Sequence, residues 1–421
     1  MTRLLEYEGK RLLKETGISV PDGETATTPS QARKIAERLA SPVAIKAQIG
    51  ATGRFKAGGI KFARSPSETQ IVAGEILGKT IKGINVEKVL VEKQLEVTSE
   101  FYASVIVDDS YKTKGPALML STEGGVDIEE VALQHPERVR RRNIPILEGI
   151  TIKEIADVVE SFNLPRVSSE QLSQIALGVY QVFKKYDARS VEINPIALSS
   201  DGTAYAADCR VVLDEASVFR HPDLGITFPR DLGRTPTQLE RIAWRIEEND
   251  YRGISYFAQM TEQVSESAGY VGFHGIGGGA AMLGADALMR QGLRIANYAD
   301  TSGNPTASKV YRTVKVILSQ PNIEGYVLMG AVLANQEQWH HANALVRALR
   351  EDLPSRPNFP VVLLIAGNKE AESIEILKEG LKDFPAQIEL FGRDYVYNVD
   401  YVAQRVKHLV EESRRIRKGM A

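Results

Sequence analysis

The sequence predicts an α/β protein of two domains, the second built on a doubly wound parallel sheet. Short apolar segments of strand length alternate with amphipathic helical segments in both halves of the chain. Between the halves, an irregular stretch at residues 219–237 contains Pro222, Pro229 and Gly233. A chain of 421 residues is long enough for two or three domains with separate cores. We expect a first domain at residues 1–220, a connection and linking helix at 221–250, and a second domain at 251–421.

The first half opens with two helices and a strand that leads into a glycine-rich loop. Apolar residues at helical spacing predict a helix at residues 4–15. Thr28 followed by Pro29 predicts the start of a second helix that continues to residue 40. Residues 42–47 then predict an apolar strand carrying Lys46, and the loop at 50–59 combines glycines with Arg54 and Lys56.

Lys46 and this loop form a candidate phosphate site. A lysine on a rigid strand, arginine and the backbone N–H groups of glycines, including Gly53, all suit an anion. The loop lacks the Gly-Lys-Ser/Thr of a Walker motif. A strand lysine is also common at a sheet edge, where it only extends into solvent. Residues 88–93 predict a further strand, whose Glu92 and backbone could hold an adenine amino group and a ribose hydroxyl, and Glu100 starts the next strand.

The end of the first domain contains a candidate magnesium site. Residues 168–186 predict a helix with one apolar face, which is formed by the residues at positions 172, 175, 176, 179, 182 and 183. Residues 190–196 and 203–207 then predict a hairpin around the turn Asp201-Gly202. Such a hairpin can bring Asn194 beside Asp208, and an amide oxygen next to a carboxylate suits Mg²⁺ on a nucleotide. The alternative is a half-buried hairpin with two polar residues and no ligand.

The second half predicts repeated strand and helix units. Apolar runs at 270–275, 325–329, 360–365 and 388–391 predict four strands separated by helices, which is the pattern of a flavodoxin-like doubly wound sheet. Three loops, at 275–280, 300–305 and 330–335, each feed a predicted helix, and helix N-termini bind carboxylates or phosphates. Glycine runs also occur in tight strand-to-helix turns without any ligand.

Composition excludes several classes of partner. A formal net charge of −2 and the spread of Lys and Arg along the chain give no electrostatic basis for nucleic acid or an anionic membrane. Cys209 is the single cysteine, so no internal disulfide forms, as is usual in a reducing compartment. No apolar run approaches membrane-spanning length, and the first residues lack a signal-peptide core. We therefore expect a cytoplasmic protein.

Five segments carry a resemblance to a known family. They are residues 43–48, 53–59, 121–126, 192–195 and 219–224, and they resemble the beta chain of succinyl-CoA synthetase and the matching amino-terminal part of ATP-citrate lyase. The resemblance extends from about Leu5 to about Glu411 and implies an ATP-grasp domain in the first half. At matching positions it implies ATP and Mg²⁺ as ligands. Lys46, Gly53 and Arg54 would bind phosphates, Glu92, Leu95 and Glu100 would line the base and ribose, and Asn194 and Asp208 would bind Mg²⁺.

In the second half, residues 296–305 and 330–335 look closer to ATP-citrate lyase. The resemblance implies that citrate binds to Gly277, Gly278, Ser302, Gly303 and Asn335. Two positions depart from the lyase pattern. The citrate-binding threonine expected two places after Asn335 is Glu337, and the strand expected to deliver an arginine ends Ala366-Gly-Asn-Lys369. Lys369 or a residue of a partner chain is the candidate for the missing positive charge.

The resemblance also implies a partner. This family passes phosphate through a histidine, but none of the six histidines lies in a segment like the phosphohistidine loop, so we expect no catalytic residue in this chain. Only His274 lies near the glycine loop of the second half. The chain also lacks a CoA-binding half and a citrate-synthase-like segment. We expect both on an alpha-like second subunit, which would bind CoA.

Three interpretations follow. The first is the ATP-binding subunit of an ATP-citrate lyase or of a citryl-CoA synthetase. The second is the beta subunit of succinyl-CoA synthetase or of another ADP-forming acyl-CoA synthetase. The third, from a different class, is a non-catalytic scaffold subunit with the same fold.

Overall fold

Two compact units, Met1–Thr235 and Pro236–Ala421, divide the chain in the computed structural model. The described residues are 1–419 without 111–113, 227, 231–232, 249 and 251, and at 332–335 only the backbone is described. Each unit has its own apolar cores, formed by different sets of buried side chains.

The first unit contains helices and strands that pair in antiparallel fashion among its described residues. Its helices are α1 (Glu6–Glu15), α2 (Pro29–Leu39), α3 (Pro66–Ile76), α4 (Ile128–Gln134), α5 (Ile152–Glu160) and α6 (Arg166–Lys185). Its strands are β1 (Thr2–Arg3), β2 (Gly23–Ala26), β3 (Val43–Ala47), β4 (Ile60–Ala63), β5 (Thr80–Ile81), β6 (Ile84–Asn85), β7 (Val89–Lys93), β8 (Val97–Asp108), β9 (Gly115–Ser121), β10 (Val139–Asn143), β11 (Ala188–Ser199), β12 (Ala204–Ala206) and β13 (Cys209–Leu213).

Two sheets organise this unit. Strands in the order β2-β7-β3-β4 form a small sheet, and the order β1-β13-β11-β8-β9-β10 forms a larger one, to which β12 adds by pairing with β11. Helices α2 and α3 share the apolar core of the small sheet. The larger sheet shares a core with α1, α5 and α6. Residues from the two sheets face one another across the cavity described below.

Local sequence signals explain several of these elements. The hydroxyl of Thr28 accepts a hydrogen bond from the N–H of Gln31 at 3.2 Å, and Pro29 takes the first helical position of α2, as the sequence predicts. Helix α6 occupies nearly the predicted range, and all six apolar positions predicted for its core face are buried. The predicted hairpin is β11 and β12, in which Ile196 pairs with Ala206.

The second unit is a doubly wound sheet. Its strands are β14 (Tyr256–Gln259), β15 (Tyr270–Ile276), β16 (Arg294–Asp300), β17 (Tyr326–Glu337), β18 (Pro360–Asn368) and β19 (Gln387–Phe391). Its helices are α7 (Gln238–Glu248), α8 (Gly278–Arg290), α9 (Ala307–Leu318), α10 (Trp339–Asp352), α11 (Glu370–Gly380) and α12 (Val399–Gly419). The order is β14-β16-β15-β17-β18-β19, with antiparallel β14 at one edge and the other pairs parallel. Without β14 this is the flavodoxin-like order 2-1-3-4-5.

Helices cover both faces of this sheet. One core contains residues of α7, α9, α10 and α11, and the other contains residues of α8 and α12. A sheet buried on both faces explains why β15, β17 and β18 read as continuous apolar runs. Across the described residues of both units, no helix is both long enough and apolar enough to span a membrane.

The second unit differs from the prediction in two respects. The structure adds β14 and β16 to the four predicted strands. The segment 330–335, predicted as a loop, continues β17 instead, because Gly330, Ala331 and Val332 pair in parallel register with residues of β18. Helix α10 consequently begins at Trp339, after the strand has run to Glu337.

Candidate functional site

An open cavity of 580 Å³ in the first unit contains the first group of predicted site residues. All eight line it: Lys46, Gly53, Arg54, Glu92, Leu95, Glu100, Asn194 and Asp208. They come from distant parts of the sequence and from both sheets. The volume is within the range of about 300–1,000 Å³ typical of small-molecule sites. The structure therefore brings these residues together, while the ligand that each one binds stays a prediction.

Sheet pairing places the side chains. Strands β3 and β7 are neighbours in antiparallel register, with Ala44 opposite Glu92, so Lys46 and Glu92 lie near each other on one sheet. Asn194 lies in β11, and its N–H donates to the backbone oxygen of Asp208 at 3.0 Å. The hairpin thus sets Asn194 beside Asp208, as its sequence predicts.

Lys46 is a buried cation with three oxygen partners. Its ammonium lies 3.1 Å from Glu6 Oε1 and 2.6 Å from Glu92 Oε1, and it donates to the backbone oxygen of Ala207 at 2.7 Å. Burial would lower the pKa of Lys46, but Glu6, Glu92 and Asp208 outweigh burial and raise it. Since an ammonium has three donors, a phosphate must replace one of these partners to bind Lys46.

Arg54 brings the glycine-rich loop into the same cluster. Its Nη2 atom lies 2.7 Å from Glu6 Oε2 and donates to both carboxylate oxygens of Asp208, at 2.8 and 2.9 Å. Its Nη1 atom donates to the backbone oxygen of Ala47 at 2.8 Å. The loop and the start of β13 are therefore linked through one guanidinium group.

Sequence reasoning missed two members of this cluster, Glu6 and Lys10. Glu6 contacts Lys10 at 2.8 Å as well as Lys46 and Arg54, and these cations outweigh burial to hold its pKa well below the usual value. Lys10 also lies 2.6 Å from Glu92 Oε2. On α1 the two residues have the i,i+4 spacing of an ordinary surface pair. The tertiary fold places Glu6 in the cavity lining and Lys10 against Glu6 and Glu92.

The cluster is internally balanced. Three cations, Lys10, Lys46 and Arg54, face three carboxylates, Glu6, Glu92 and Asp208, so the ionised groups sum to zero charge. Such balance is what makes buried charges tolerable. A bound polyphosphate would have to exchange with some of these internal partners.

The predicted base and ribose residues differ from one another in their surroundings. Glu92 is 2% exposed, and its carboxylate pairs with Lys10 and Lys46. To contact a ribose hydroxyl, the carboxylate would have to give up one of these ion pairs. Glu100 lines the cavity, and burial raises its pKa. Leu95 shares the cavity with the apolar side chains of Ala44, Ile60, Phe62 and Ala197. These side chains offer an apolar wall against which a flat base can pack.

Asn194 and Asp208 fit a hydrated magnesium ion. Asn194 Oδ1 accepts from the Gly125 N–H at 2.7 Å, and its Nδ2 donates to the Val126 oxygen at 3.0 Å, which fixes the amide. Carbonyl-type and carboxylate oxygens are the donors that Mg²⁺ prefers, with water and phosphate oxygens as its remaining ligands. The described residues contain no group of three or more His, Cys, Asp or Glu arranged for a metal. Two protein oxygens suit an ion that arrives with its nucleotide.

Four residues of the second predicted group follow the carboxyl ends of two neighbouring strands: Gly277 and Gly278 follow β15, and Ser302 and Gly303 follow β16. Gly277 caps α8 with a φ of 77°, and Asp300 at the end of β16 is 6% exposed. Burial raises the pKa of Asp300, against hydrogen bonding from Ser302 and from the Gly277 backbone. Ser302 and the Gly277 backbone thus meet at the Asp300 carboxyl group, and a Cβ added at Gly278 would lie 3.8 Å from Asp300 Oδ2. Asn335 lies in β17, but its side chain is outside the described part of the structure.

The residues that depart from the expected citrate pattern have partners of their own. Glu337 Oε2 accepts from Trp339 Nε1 at 3.1 Å and lies 3.9 Å from His340 Nε2. Lys369, the candidate for the missing cation, is about half exposed and pairs with Glu372 at 3.3 Å. Lys369 therefore forms an ion pair at the surface with Glu372.

His274 is fully buried and has a structural partner on each side. Its Nδ1 atom lies 2.5 Å from the Tyr326 hydroxyl and its Nε2 atom lies 2.6 Å from Thr301 Oγ1, which in turn lies 3.0 Å from His341 Nε2. Burial, with a smaller effect of His341, holds the pKa of His274 well below its usual value. The neutral imidazole links β15 to the start of the Ser302–Gly303 loop.

Comparison with known families agrees with this architecture. Residues 3–198 match an ATP-grasp domain, and residues 258–404 match the ATP citrate lyase citrate-binding family. The fold and these matches thus define an ATP-grasp protein whose second domain is of the ATP citrate lyase citrate-binding family.

Among curated proteins, the beta subunit of a GDP-forming succinate–CoA ligase from Thermus thermophilus is 36% identical over 391 residues, which is 92% of this chain and 96% of the relative. An ADP-forming succinate–CoA ligase beta subunit from Archaeoglobus fulgidus is 34% identical over 91% of this chain and 94% of the relative. The chain belongs to the family of succinate–CoA ligase beta subunits.

Among solved structures, the ATP citrate lyase of Methanothrix soehngenii in complex with citrate and coenzyme A shares the fold. The TM-score is 0.77 at 20% identity, over 96% of this chain and 99% of that chain. At this identity the likeness shows a shared fold.

Proposed function

We propose that this chain is the ATP-binding subunit of an ATP citrate lyase or citryl-CoA synthetase. The observation that carries the proposal is the cavity in which Lys46, Arg54, Asn194 and Asp208 converge. The match of residues 258–404 to the citrate-binding family supports citrate as the acid. ATP and Mg²⁺ would bind in the first unit, and the acid would bind at the carboxyl end of the second unit's sheet.

In this proposal, the cations of the first unit exchange their carboxylate partners for the phosphates of ATP. Lys46 and Arg54 would turn from their carboxylate partners to the phosphates, while Gly53 allows the loop to approach them. Asn194 and Asp208 would hold Mg²⁺, which neutralises part of the phosphate charge when bound. Glu6 lies behind both cations and keeps them in place. Because ordered charges need little rearrangement during the reaction, they favour phosphoryl transfer.

The reaction needs a partner subunit that carries a histidine and a CoA site. The γ-phosphoryl group of ATP would pass to that histidine with release of ADP, and then to a carboxylate of citrate, giving an acyl phosphate. The CoA thiol would attack the acyl carbon, and phosphate would leave as the thioester forms. A citrate-synthase-like domain on the partner would then cleave citryl-CoA to acetyl-CoA and oxaloacetate.

The second unit would bind the acid and its acyl phosphate. The N-terminus of α8, at Gly277 and Gly278, presents backbone N–H groups and the positive end of the helix dipole. Ser302 and Gly303 follow the neighbouring strand and so lie at the same edge of the sheet. These groups suit a carboxylate or a phosphate oxygen.

Succinate is a second candidate acid, because two observations favour it. The curated relatives with 32–36% identity are named as succinate–CoA ligase beta subunits. Glu337 also stands where the resemblance to ATP-citrate lyase places a citrate-binding threonine, and a carboxylate there disfavours a third carboxylate on the ligand.

The test is acid- and CoA-dependent ADP formation by the chain purified with its partner. Citrate and succinate are compared at equal concentration, with the thioester product identified by mass spectrometry. Citryl-CoA or its cleavage products support the leading proposal, and succinyl-CoA moves the chain to the second candidate. Activity with neither acid overturns both substrate assignments, and failure of ATP to phosphorylate the partner overturns the nucleotide role.

A further inference from the structure

We infer that Arg252 is the cation that binds a carboxylate of the acid substrate, a role that the sequence pattern leaves without a residue. Arg252 belongs to the segment before β14 and lies against the Ser302–Gly303–Asn304 loop. This inference rests on the proposed acid-activating function. It assigns a specificity-determining residue to the acid site.

The segment that carries Arg252 is fastened to that loop. The Ile254 N–H donates to the Ser302 backbone oxygen at 3.1 Å. Gly253 has a φ of +68°, and an added Cβ would lie 2.7 Å from Pro305 Cα, so only glycine allows this approach. The position of Arg252 therefore follows from backbone packing and does not depend on a freely moving chain.

A buried lysine, Lys309, holds the same segment through its backbone oxygens. Lys309 is fully buried, and its ammonium donates to the backbone oxygens of Asp250 at 2.6 Å and Gly253 at 3.1 Å. The Thr306 hydroxyl donates to Asp250 Oδ2 at 2.9 Å. Both Lys309 and Thr306 belong to the start of α9, immediately after the Ser302–Gly303–Asn304 loop. The loop, the helix and the Arg252 segment form one anchored structure.

The guanidinium group of Arg252 contacts Asn304 of the loop and His340. Arg252 Nε donates to the Asn304 backbone oxygen at 2.9 Å, and Nη2 lies 3.3 Å from Asn304 Oδ1 and 3.4 Å from His340 Nε2. Burial and the nearby Arg252 charge lower the pKa of His340, which favours the neutral imidazole beside this guanidinium. These partners orient the group without neutralising it.

Arg252 has no carboxylate ion pair among the described residues of either unit. Other arginines of the second unit do: Arg393 pairs with Glu370, Arg405 with Glu389 and Arg414 with Glu324. A half-buried, oriented and unpaired guanidinium is suited to a ligand carboxylate, which it can bind with two parallel hydrogen bonds. Lys369, in contrast, is already paired at the surface.

The chemistry defines the ligand class as a small di- or tricarboxylate. One carboxylate would meet the α8 N-terminus and the Ser302 hydroxyl, and another would meet Arg252. His340 separates Arg252 from Glu337, which lies 3.9 Å from the imidazole. A monocarboxylic acid such as acetate would leave Arg252 without its partner and should bind weakly.

The experiment compares Arg252→Gln, Arg252→Lys and the exposed control Arg290→Gln in the complex with the partner subunit. The KM for the acid, kcat, the KM for ATP and phosphorylation of the partner by ATP without acid are measured. We expect Arg252→Gln to raise the KM for the acid about 10- to 100-fold, as expected for loss of a charge-assisted pair. The KM for ATP and the acid-independent phosphorylation should not change, Arg252→Lys should restore part of the affinity, and Arg290→Gln should match the wild type.

An unchanged KM for the acid in Arg252→Gln, with wild-type turnover intact, overturns the inference and leaves the proposed function standing. If the wild-type complex converts neither citrate nor succinate, the proposed substrates fail, and calorimetric titration of the complex with both acids decides on Arg252. Binding to the wild type that weakens at least about tenfold in Arg252→Gln supports the role. Equal binding to both proteins, or binding to neither, overturns it.

Discussion

Arg54 and Asp208 are hydrogen-bonded in the cavity of the first unit, with Arg54 Nη2 2.8 Å from Asp208 Oδ1 and 2.9 Å from Oδ2. The first is the predicted phosphate ligand and the second is the predicted magnesium ligand. The Arg54 guanidinium therefore contacts the carboxylate oxygens that would bind Mg²⁺, and the Asp208 carboxylate contacts an N–H group that would bind phosphate. Binding of Mg²⁺ with ATP would therefore replace one internal ion pair by two pairs with the ligand.

Asp208→Asn should increase the Mg²⁺ requirement. The amide can still accept from Arg54, so the fold is kept, but a neutral oxygen binds a hard cation less well than a carboxylate. We expect the Mg²⁺ concentration for half-maximal phosphorylation of the partner to rise about tenfold. Asp201→Asn, at the exposed turn of the β11–β12 hairpin, is the control and should not differ from the wild type. An unchanged Mg²⁺ titration in Asp208→Asn would remove Asp208 from the metal site.

Lys46→Ala should abolish phosphorylation of the partner and leave assembly intact. The substitution removes the strand-borne cation and leaves Glu6 and Glu92 with fewer partners, which should cost about 3 kcal/mol of unfolding free energy. Phosphorylation is followed with radiolabelled ATP and assembly by size-exclusion chromatography. Lys61→Ala on β4, whose partner Glu75 is near the surface, should show neither effect. Normal phosphorylation in Lys46→Ala would contradict the phosphate site.

Glu6→Gln should reduce stability at neutral pH but not in acid. The cations Lys10, Lys46 and Arg54 outweigh burial and lower the pKa of Glu6 well below 4.5. A carboxyl group with a depressed pKa in the folded state stabilises the protein above its unfolded pKa, and this stabilisation is lost as the pH falls towards the folded pKa. The difference in Tm between wild type and Glu6→Gln should therefore be constant above about pH 5.5 and shrink below about pH 4.5.

Glu37→Gln on the exposed face of α2 is the matched control, because it removes a half-exposed carboxylate whose ion pair with Arg33 lies at the surface. Its Tm should follow the wild type across the same pH range. A difference between wild type and Glu6→Gln that grows on acidification would show that Glu6 is not held ionised by the cluster.

The sequence was informative where a local pattern decides the position of a residue. Asn194 and Asp208 could be placed side by side because one hairpin carries both, and Lys46 could be singled out because it interrupts an apolar strand. Glu6 and Lys10 could not, since their i,i+4 spacing is equally typical of a solvated helix face. The difference lies in tertiary packing of α1 against β3 and β13, which no local pattern records.

In the second unit the prediction failed where polar residues lie inside buried strands. Asn297 is fully buried in β16 and hydrogen-bonds to the Phe273 N–H and oxygen across the sheet, so it interrupts the apolar run that identifies a strand. Gly330 follows an apolar run and resembles the start of a turn, yet it continues β17. Arg252, our inferred acid ligand, could not be singled out from the sequence, because a lone arginine in an irregular segment carries no pattern.

His341→Gln should flatten the acid sensitivity of the second unit. Burial lowers the pKa of His341 to about 3, against an ordinary value of 6.5, so the unfolded chain takes up a proton that the folded one does not. Because of such a histidine, the free energy of unfolding falls by about 1.4 kcal/mol for each pH unit below 6.5. His274 adds to the same trend, because its pKa is also lowered by burial.

Fluorescence isolates this effect, because both tryptophans, Trp244 and Trp339, lie in the second unit. Urea unfolding followed by tryptophan emission between pH 7 and pH 5 should show a smaller loss of unfolding free energy in His341→Gln than in the wild type. His408→Gln on the exposed face of α12 should keep the wild-type slope. Equal slopes for the wild type and His341→Gln would mean that His341 is protonated in the folded protein.

Glu337→Gln should favour citrate over succinate. The Glu337 side chain is about two-fifths exposed at the carboxyl end of β17, where its oxygen accepts from Trp339, and the amide can retain that hydrogen bond. Removal of one negative charge several ångströms from the acid should gain about 1 kcal/mol at a partly solvated site, equivalent to a fivefold lower KM for citrate. The gain should be smaller for succinate, which has one carboxylate fewer, and Glu375→Gln on the exposed face of α11 should change neither KM. Because the repulsion scales with ligand charge, equal changes for both acids would place Glu337 away from the third carboxylate, and no change for either would place it outside the acid site.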